Sequence, residues 1–248
     1  MADRAEIEAF LAGLLNPDAF QDYGPNGLQV EGRREVRRLV SGVTASRAFI
    51  DAAIDAGADA LFVHHGLFWR GQDGRITGWL RERLARLLAH DVSLFAYHLP
   101  LDAHPVLGNN AQFGERLGLV ADARFGAQQL GFAGPALDAR LDAFAARLKR
   151  VLQRTPIVVA GDGRVLGRVA WCTGGAQSYF EAAIATGADV FVTGEISEPQ
   201  AHLARETGVA FIAAGHHATE RYGAPAVAAH VAATFGLEHR FIEVDNPA

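Results

Sequence analysis

Six of the ten histidines lie in three short segments, each of which follows a run of apolar residues. The segments contain His64 with His65, His98 with His104, and His216 with His217. Imidazole rings bind metal ions and transfer protons, and loops that follow strands in α/β folds are where such groups usually gather. The three segments therefore predict one functional site assembled from remote parts of the chain.

His64 and His65 are adjacent and are followed by Gly66. Successive residues of a strand point to opposite faces, so the two rings cannot share one ion in regular strand geometry, although beyond the strand end they can reach two neighbouring ions. The pair therefore favours a dinuclear site, and Gly66 permits the sharp exit that such a site requires. Taken alone, the pair is also consistent with polar caps on a buried strand.

The second segment runs from His98 to Asp102 and contains Pro100. Proline prevents a regular helix from forming early, so we expect a loop that aims His98 and Asp102 at one point. Asp102 is the better candidate for a metal ligand, with a turn or helix cap as the alternative. Three roles stay open for His98: metal ligand, orienting residue or proton shuttle.

The third segment places His216 and Glu220 four residues apart, on one face of a helix if a helix begins there. This spacing is common among metal ligands, and an ordinary surface ion pair has it too. Imidazole and carboxylate together suit zinc, iron, manganese or nickel, and a carboxylate can bridge two ions about 3.5–4 Å apart. The three segments thus predict two divalent metal ions of open identity.

Two glycine-containing motifs are weaker indications of function. Gly174 and Gly175 lack the further glycines and the lysine of a phosphate-binding loop, which favours a tight turn. Asn26 and Gly27 form a turn signal and a candidate part of a substrate wall.

The elements that must position these residues belong to an internal repeat. Residues 38–66 match residues 168–196 without a gap, at an offset of 130. Each copy reads as strand, amphipathic helix, Gly-Ala-Asp turn and strand, which is a βαβ unit. In this alignment Glu195 takes the position of His65, where it either lines the same cleft or faces solvent.

A second match follows at an offset of 118 and places Asp102 on Glu220 and His98 on His216. The two matches predict an internally duplicated α/β fold of two lobes, each with a mostly mixed sheet flanked by helices. We expect a first repeat over residues 1–120, a connecting region over 121–135 and a second repeat over 136–248. The metal site is expected between the two repeats, and the strand order stays open.

Composition limits the function classes. Half of the 248 residues are hydrophobic and the formal net charge is −5, which argues against broad attraction to nucleic acid. Cys172 is the single cysteine, which excludes an intramolecular disulfide and fits a reducing compartment. No apolar stretch approaches the roughly 20 residues that cross a bilayer. We therefore expect a cytoplasmic protein with no membrane role.

The motifs DYGPNGLQVEG, GADALFVHHGLFW, HLPLDAHPVLGNNAQ and AAGHHATE carry a resemblance to a known family. With them the chain resembles the dinuclear metal-centre proteins, also called Nif-three-like or GTP cyclohydrolase I type 2 homologues, and among these the short bacterial YbgI-like members. The resemblance implies two intertwined α/β lobes and a ring-shaped homohexamer. It also implies a ligand set, with Glu220 as the bridging carboxylate: His64, His65, Asp102, His216 and Glu220.

The function implied by the resemblance is a metal-dependent hydrolase that acts on a nucleotide or related small molecule, such as one that opens the guanine ring of GTP. In such an enzyme His98 is the candidate general acid or base. The alternative is a regulatory or interaction protein with a structural or sensing metal centre. A connection with DNA repair would belong to this alternative. An enzyme needs open coordination positions, whereas structural ions are enclosed by protein ligands. The roles of His104, His217 and Glu195 stay open.

Overall fold

The computed structural model describes residues 1–248, which form two compact units. The first unit comprises residues 1–108 and 223–245, and the second comprises residues 109–222 and 246–248. Neither unit is continuous in the chain, so these units differ from the repeats expected from the sequence over 1–120 and 136–248.

The strands are β1 (Ala2–Asp3), β2 (Gly27–Val30), β3 (Glu35–Val36), β4 (Arg38–Thr44), β5 (Ala60–His65), β6 (Ser93–Ala96), β7 (Ala123–Phe125), β8 (Gly131–Pro135), β9 (Ile157–Val159), β10 (Arg168–Trp171), β11 (Val190–Thr193), β12 (Ala210–Ala213) and β13 (Glu238–Phe241). The α-helices are α1 (Arg4–Leu15), α2 (Arg47–Asp55), α3 (Gly78–Ala89), α4 (Leu99–Ala103), α5 (Asn109–Leu117), α6 (Leu141–Leu152), α7 (Phe180–Ala185), α8 (Glu198–Thr207), α9 (His216–Glu220) and α10 (Gly223–Phe235). None of the helices combines the length and apolar character that crossing a bilayer requires.

The first unit is built on a five-stranded sheet of order β13-β4-β5-β6-β2, parallel except for β2 at one edge. Alternation along β5 places Leu61 and Val63 in a core cluster with residues of α2 and α3, and Phe62 in a second cluster with residues of α1 and α10. Both faces of the sheet are covered, which explains why β5 is apolar at successive positions.

The second unit is built on a six-stranded sheet of order β7-β8-β10-β11-β12-β9. Its three central strands β10, β11 and β12 are parallel, and β7, β8 and β9 pair antiparallel. Val190 and Val192 of β11 pack in a cluster with residues of α5 and α6, while Phe191 between them packs with Phe180 and Phe211. The prediction of a duplicated α/β fold with two mixed sheets flanked by helices is thus confirmed.

Residues 121–135 do not form a separate connector. They contribute β7 and β8, which pair with each other, and β8 also pairs with β10. Their glycines serve close packing: a Cβ at Gly134 would lie 2.0 Å from the carbonyl oxygen of Val120, and one at Gly131 would lie 2.5 Å from the ring of Phe125. Glycine content that indicated a connecting region in the sequence therefore reflects a tightly packed edge of the second sheet.

Two helices are exchanged between the units. Helix α5 follows β6 of the first unit in the chain but belongs to the second unit, and α10 follows β12 of the second unit but belongs to the first. Val227 and Val231 of α10 pack with Leu39 of β4 and Phe62 of β5. The assignment of α5 and α10 explains why the compact units differ from the sequence repeats.

The first offset of the repeat agrees with the strand register. Leu39 of β4 pairs with Ala60 of β5, and Val169 of β10 pairs with Val190 of β11, so both positions are shifted by 130 residues. The βαβ unit found in the sequence therefore occurs twice with the same pairing.

The second offset of 118 is wrong by one residue at the strand and the short helix that follows it. Val63 pairs with Ala96 and Thr193 with Ala213, which gives an offset of 117 for the second strand of each pair. The N–H of Asp102 donates to the carbonyl oxygen of His98, as that of Thr219 donates to Gly215, which is again 117. Asp102 therefore corresponds to Thr219 and not to Glu220. The sequence match aligned His98 with the identical residue His216, whereas the structural counterpart of His98 is Gly215.

Candidate metal centre

His64 lies at the carboxyl end of β5 and is fully buried. Its Nδ1 is 3.0 Å from the carbonyl oxygen of Tyr97, which can only accept, so Nδ1 carries the proton in the neutral ring. The other nitrogen, Nε2, is 3.4 Å from Oδ1 of Asp102. A histidine whose Nδ1 donates to a backbone carbonyl and whose Nε2 faces a carboxylate has the arrangement of a metal ligand.

Asp102 is buried in α4, a five-residue helix that begins at Leu99. The expected loop is therefore wrong: Pro100 lies in the first helical turn, where its missing N–H has no partner to lose. The N–H of Asp102 donates to the carbonyl oxygen of His98, so the short helix fixes where the carboxylate points.

His65 is the last residue of β5, and its Nδ1 is 3.0 Å from Oγ1 of Thr44 on the neighbouring strand. The rings of His64 and His65 have centroids 4.5 Å apart, which departs from the opposite orientation of a regular strand. With His98 they form a group whose donor nitrogens all lie within 4.8 Å of one another. The first unit thus gathers three imidazoles and one buried carboxylate.

His98 is oriented by Asp22, a residue that the sequence analysis missed. The ring Nδ1 of His98 is 2.7 Å from Oδ1 of Asp22, whose carboxylate also accepts hydrogen bonds from the N–H of Leu99 and the side-chain amide of Asn26. Burial alone would raise the pKa of Asp22, but the hydrogen bonds from His98 and Asn26 outweigh it and lower the pKa to about 2. The quoted motif DYGPNG contains Asp22, and only the fold brings it to His98.

In the second unit, His216 begins α9 and lies between two carboxylates. Its Nδ1 is 2.6 Å from Oε1 of Glu195, and its Nε2 is 3.1 Å from Oε2 of Glu220. Burial would lower the pKa of His216, but the hydrogen bonds with Glu220 and Glu195 raise it to about 9. Glu195 therefore contacts His216 and at the same time faces solvent, since its side chain is 46% exposed.

Gly174 makes room for the Glu220 carboxylate. Its φ is +71°, and a Cβ there would lie 2.0 Å from Oε1 of Glu220. The N–H of Gly174 donates to Oγ1 of Thr219, and its carbonyl oxygen accepts from Oγ1 of Thr193. The chain bends at Gly174 and Gly175, and this bend lies against the carboxylate of Glu220.

Two of the six clustered histidines lie outside these groups. Nδ1 of His104 accepts hydrogen bonds from the N–H groups of Val106 and Leu107, so this ring closes a turn after α4. Burial lowers its pKa, in keeping with a neutral acceptor. His217 is buried in α9.

The donor atoms fit a metal ion in each unit. Two donors about 2.1 Å from one ion lie about 3.0–3.4 Å from each other in octahedral or tetrahedral coordination. The distances are 3.4 Å between His64 and Asp102, and 3.1 Å between His216 and Glu220. Mixed nitrogen and oxygen donors suit divalent transition metals.

Comparison with known proteins decides the family. The family model described as Duf34/NIF3 (NGG1p interacting factor 3) matches residues 2–247. The chain belongs to the DUF34/NIF3 family. Among DUF34/NIF3 relatives, a protein of Neisseria meningitidis serogroup B is 55% identical over 94% of both chains, and one of Escherichia coli K12 is 46% identical over 98% of both. Both are named GTP cyclohydrolase 1 type 2 homolog.

Solved DUF34/NIF3-like structures share the fold over their whole length. A protein called ybgI, described as of unknown function, has a TM-score of 0.95 at 45% identity and covers 99% of this chain and 100% of its own. A protein from Thermus thermophilus has a TM-score of 0.91 at 36% identity, with the same coverage. The resemblance seen in the sequence motifs is therefore confirmed.

Proposed function

We propose that this DUF34/NIF3 protein binds two divalent metal ions through His64, His65, Asp102, His216 and Glu220. The observation that carries the proposal is the pair of donor distances, 3.4 Å and 3.1 Å, each of which matches two ligands on one ion. The fixed Nδ1 of His64 supports it, because it leaves Nε2 as the donor toward Asp102.

We further propose that both donor groups serve one shared ion pair, with Glu220 as the bridging carboxylate. If the pair is shared, removing a donor from either group lowers the occupancy of both ions. We expect about two ions per wild-type chain, and fewer than one per chain in His64→Ala and in Glu220→Gln, by mass spectrometric metal analysis of freshly purified protein. Loss of one ion with full retention of the other in both variants would show two independent sites instead.

His202 provides the matched control. It pairs with Glu198 at 2.6 Å and at the same four-residue spacing, but on the exposed surface of α8. His202→Ala should retain the wild-type metal content. The same analysis identifies the metal, for which zinc, iron, manganese and nickel are the candidates.

The reaction we propose is hydrolysis of a nucleotide or related small molecule, and the names of the relatives support it. A bound pair of divalent ions would act as a Lewis acid and supply a nucleophile near neutral pH. His98 would transfer a proton through Nε2, because Nδ1 is held by Asp22. Asp22 would act as the residue that orients the ring.

A panel of nucleotides incubated with metal-loaded protein tests this reaction, with products separated by chromatography. We expect turnover in the wild type and in His202→Ala, and a loss of at least about 100-fold in His98→Ala. Turnover that survives both His64→Ala and Glu220→Ala would exclude the proposed centre as the catalyst. Absence of turnover with every nucleotide would favour the regulatory or interaction role, with a structural or sensing metal centre.

From the family resemblance we also propose a cytoplasmic homohexamer. Light scattering coupled to size-exclusion chromatography should give a mass near six times 26.5 kDa, and a monomeric mass would contradict the proposal.

A further inference from the structure

A cleft opens between two loops of the first unit, residues 22–25 and residues 66–70. Its outer part has a volume of about 330 Å³ and is lined by Tyr23, Phe68, Trp69 and Arg70, among others. Its inner part has a volume of about 10 Å³, which is room for about one water molecule, and is lined by His64 and His98 as well as Trp69. The outer part therefore has room for a small molecule beside the aromatic side chains, and the narrow inner part separates it from the first donor group.

Backbone and side-chain hydrogen bonds join the two loops. The amide of Gln29 donates through Nε2 to the carbonyl oxygen of Pro25 and accepts through Oε1 from the N–H of Leu67, both at 2.8 Å. Arg70 donates through Nη2 to the carbonyl oxygen of Asp22 at 2.7 Å. The walls are thus held at a set separation before any ligand enters, which lowers the entropic cost of binding.

Close packing of the loops supports the same conclusion. A Cβ at Gly24 would lie 2.3 Å from the carbonyl oxygen of Phe68, and a Cβ at Gly66 would lie 2.2 Å from Oε1 of Gln29. Neither position has space for a side chain, so glycine at both lets the two walls approach each other.

The side chains of the cleft present flat faces and little charge. Tyr23 is 60% exposed, and the indole of Trp69 is perpendicular to the His98 ring with centroids 5.1 Å apart. Arg70 is the cation among the lining residues, and its guanidinium already donates to a backbone carbonyl. Asp22 accepts hydrogen bonds from His98 and Leu99. Such a lining suits a planar ring rather than a phosphate group.

We propose that the outer part of this cleft is the subsite for a planar aromatic heterocycle of purine size, which stacks against Trp69 and Tyr23. The proposal rests on the proposed function, because it assigns the part of the substrate that the cleft recognises. A cleft of a few hundred Å³ with aromatic walls and a few polar groups at one end is typical of small-molecule sites.

The test measures binding in the absence of metal, so that it does not depend on turnover. Guanosine, which lacks phosphate, and inorganic triphosphate, which lacks a ring, are titrated calorimetrically into the full chain kept in EDTA. We expect guanosine to bind the wild type and triphosphate not to bind. Binding of triphosphate without guanosine would overturn the proposal.

Three variants locate the binding. Trp69→Leu keeps an apolar side chain but removes the aromatic face, and should weaken guanosine binding about five-fold or more. Trp69→Phe keeps an aromatic face and should retain most of the affinity. Trp79→Leu removes another exposed indole, on α3 and outside the cleft, and should stay within about two-fold of the wild type.

Equal guanosine affinity in Trp69→Leu and the wild type, with thermal unfolding unchanged, would overturn the subsite. This outcome is distinguishable from failure of the hydrolase proposal. Nucleotide turnover that persists in Trp69→Leu with an unchanged KM would contradict the subsite and support the hydrolase proposal. Guanosine binding that depends on Trp69 in a protein without turnover would support the subsite and contradict the hydrolase proposal.

Discussion

At the scale of single residues, hydrogen-bond partners decide which nitrogen each imidazole presents. The carbonyl oxygen of Tyr97 can only accept, so it assigns the proton of His64 to Nδ1. The carboxylate of Asp22 likewise accepts from Nδ1 of His98. The hydroxyl of Thr44 can donate or accept, so it leaves the tautomer of His65 open. The geometry thus places the proton of the neutral ring on Nδ1 in both His64 and His98.

Gly174→Ala should reduce metal binding and stability together. The new Cβ would meet the Glu220 carboxylate at 2.0 Å, and a residue with a Cβ is strained by about 1–2 kcal/mol at the φ of +71°. Gly187→Ala is the matched control, since Gly187 has a φ of +78° and no atom within 4 Å of an added Cβ. We expect both variants to melt at a lower temperature and Gly174→Ala alone to lose metal. Equal metal contents would contradict the role of Gly174.

Asp22→Asn should change how stability depends on pH. The pKa of Asp22 is about 2 in the folded chain and 3.8 ordinarily, so the carboxylate stabilises the fold above about pH 4 and loses this contribution as the pH falls toward 2. The contribution is at most about 2 kcal/mol. We expect the unfolding free energy, measured by urea denaturation, to fall less between pH 4 and pH 2.5 in Asp22→Asn. A slope equal to that of the wild type would contradict the assignment.

At the scale of elements, the short helix α9 is held to the turn at Gly174 by one side chain. Oγ1 of Thr219 accepts from the N–H of Gly174 at 3.0 Å and donates to the carbonyl oxygen of His216 at 2.9 Å. A five-residue helix has little stability of its own, so such contacts set the position of its side chains. Thr219 thus positions His216 and Glu220 through backbone groups. Neither hydrogen bond involves the imidazole of His216 or the carboxylate of Glu220.

Thr219→Val should weaken metal binding about 10-fold or more while the chain stays folded, as is usual when a group that orients a ligand is removed. Affinity is measured by competition with a chelator of known strength. Thr234→Val is the control, because Oγ1 of Thr234 also donates to a helix carbonyl, that of His230, but on the exposed side of α10. An equal effect of the two substitutions would point to general helix destabilisation.

At the scale of the whole molecule, the exchange of α5 and α10 links the two halves of the sequence. Val227 of α10 is fully buried in the core of the first unit, together with Leu39 and Phe62. Residues 109–222, which directly precede α10 in the chain, belong to the second unit. A perturbation in α10 should therefore be transmitted to β4 and β5 rather than to β11 and β12.

Val227→Ala tests this organisation. Removing two buried methyl groups should cost about 2 kcal/mol and increase amide hydrogen exchange in residues 38–65 more than in residues 190–213. Val165→Ala, at a position that is 74% exposed, should change neither region. A larger increase in residues 190–213 would contradict the assignment of α10 to the first unit.

Local sequence patterns determined the elements and the residue types of the candidate site. Short apolar strands, amphipathic helices and the Gly-Ala-Asp turns predicted two βαβ units, and the strand registers agree with the offset of 130. Residue types and the family resemblance together indicated His64 and Asp102 as donors, and the fold places them 3.4 Å apart. These features are encoded by neighbouring residues, which is why sequence reasoning finds them.

Only the tertiary structure decided the features that depend on distant residues. Asp22 meets His98 across 76 positions of the chain, the partner of Asp102 in the repeat is Thr219, and His104 closes a local turn. The placement of α5 and α10 also depends on distant residues, since a helix of given amphipathicity can cover either sheet. Which sheet it covers depends on loop lengths and on the total area that the chain buries, and neither quantity is written in any short stretch of residues.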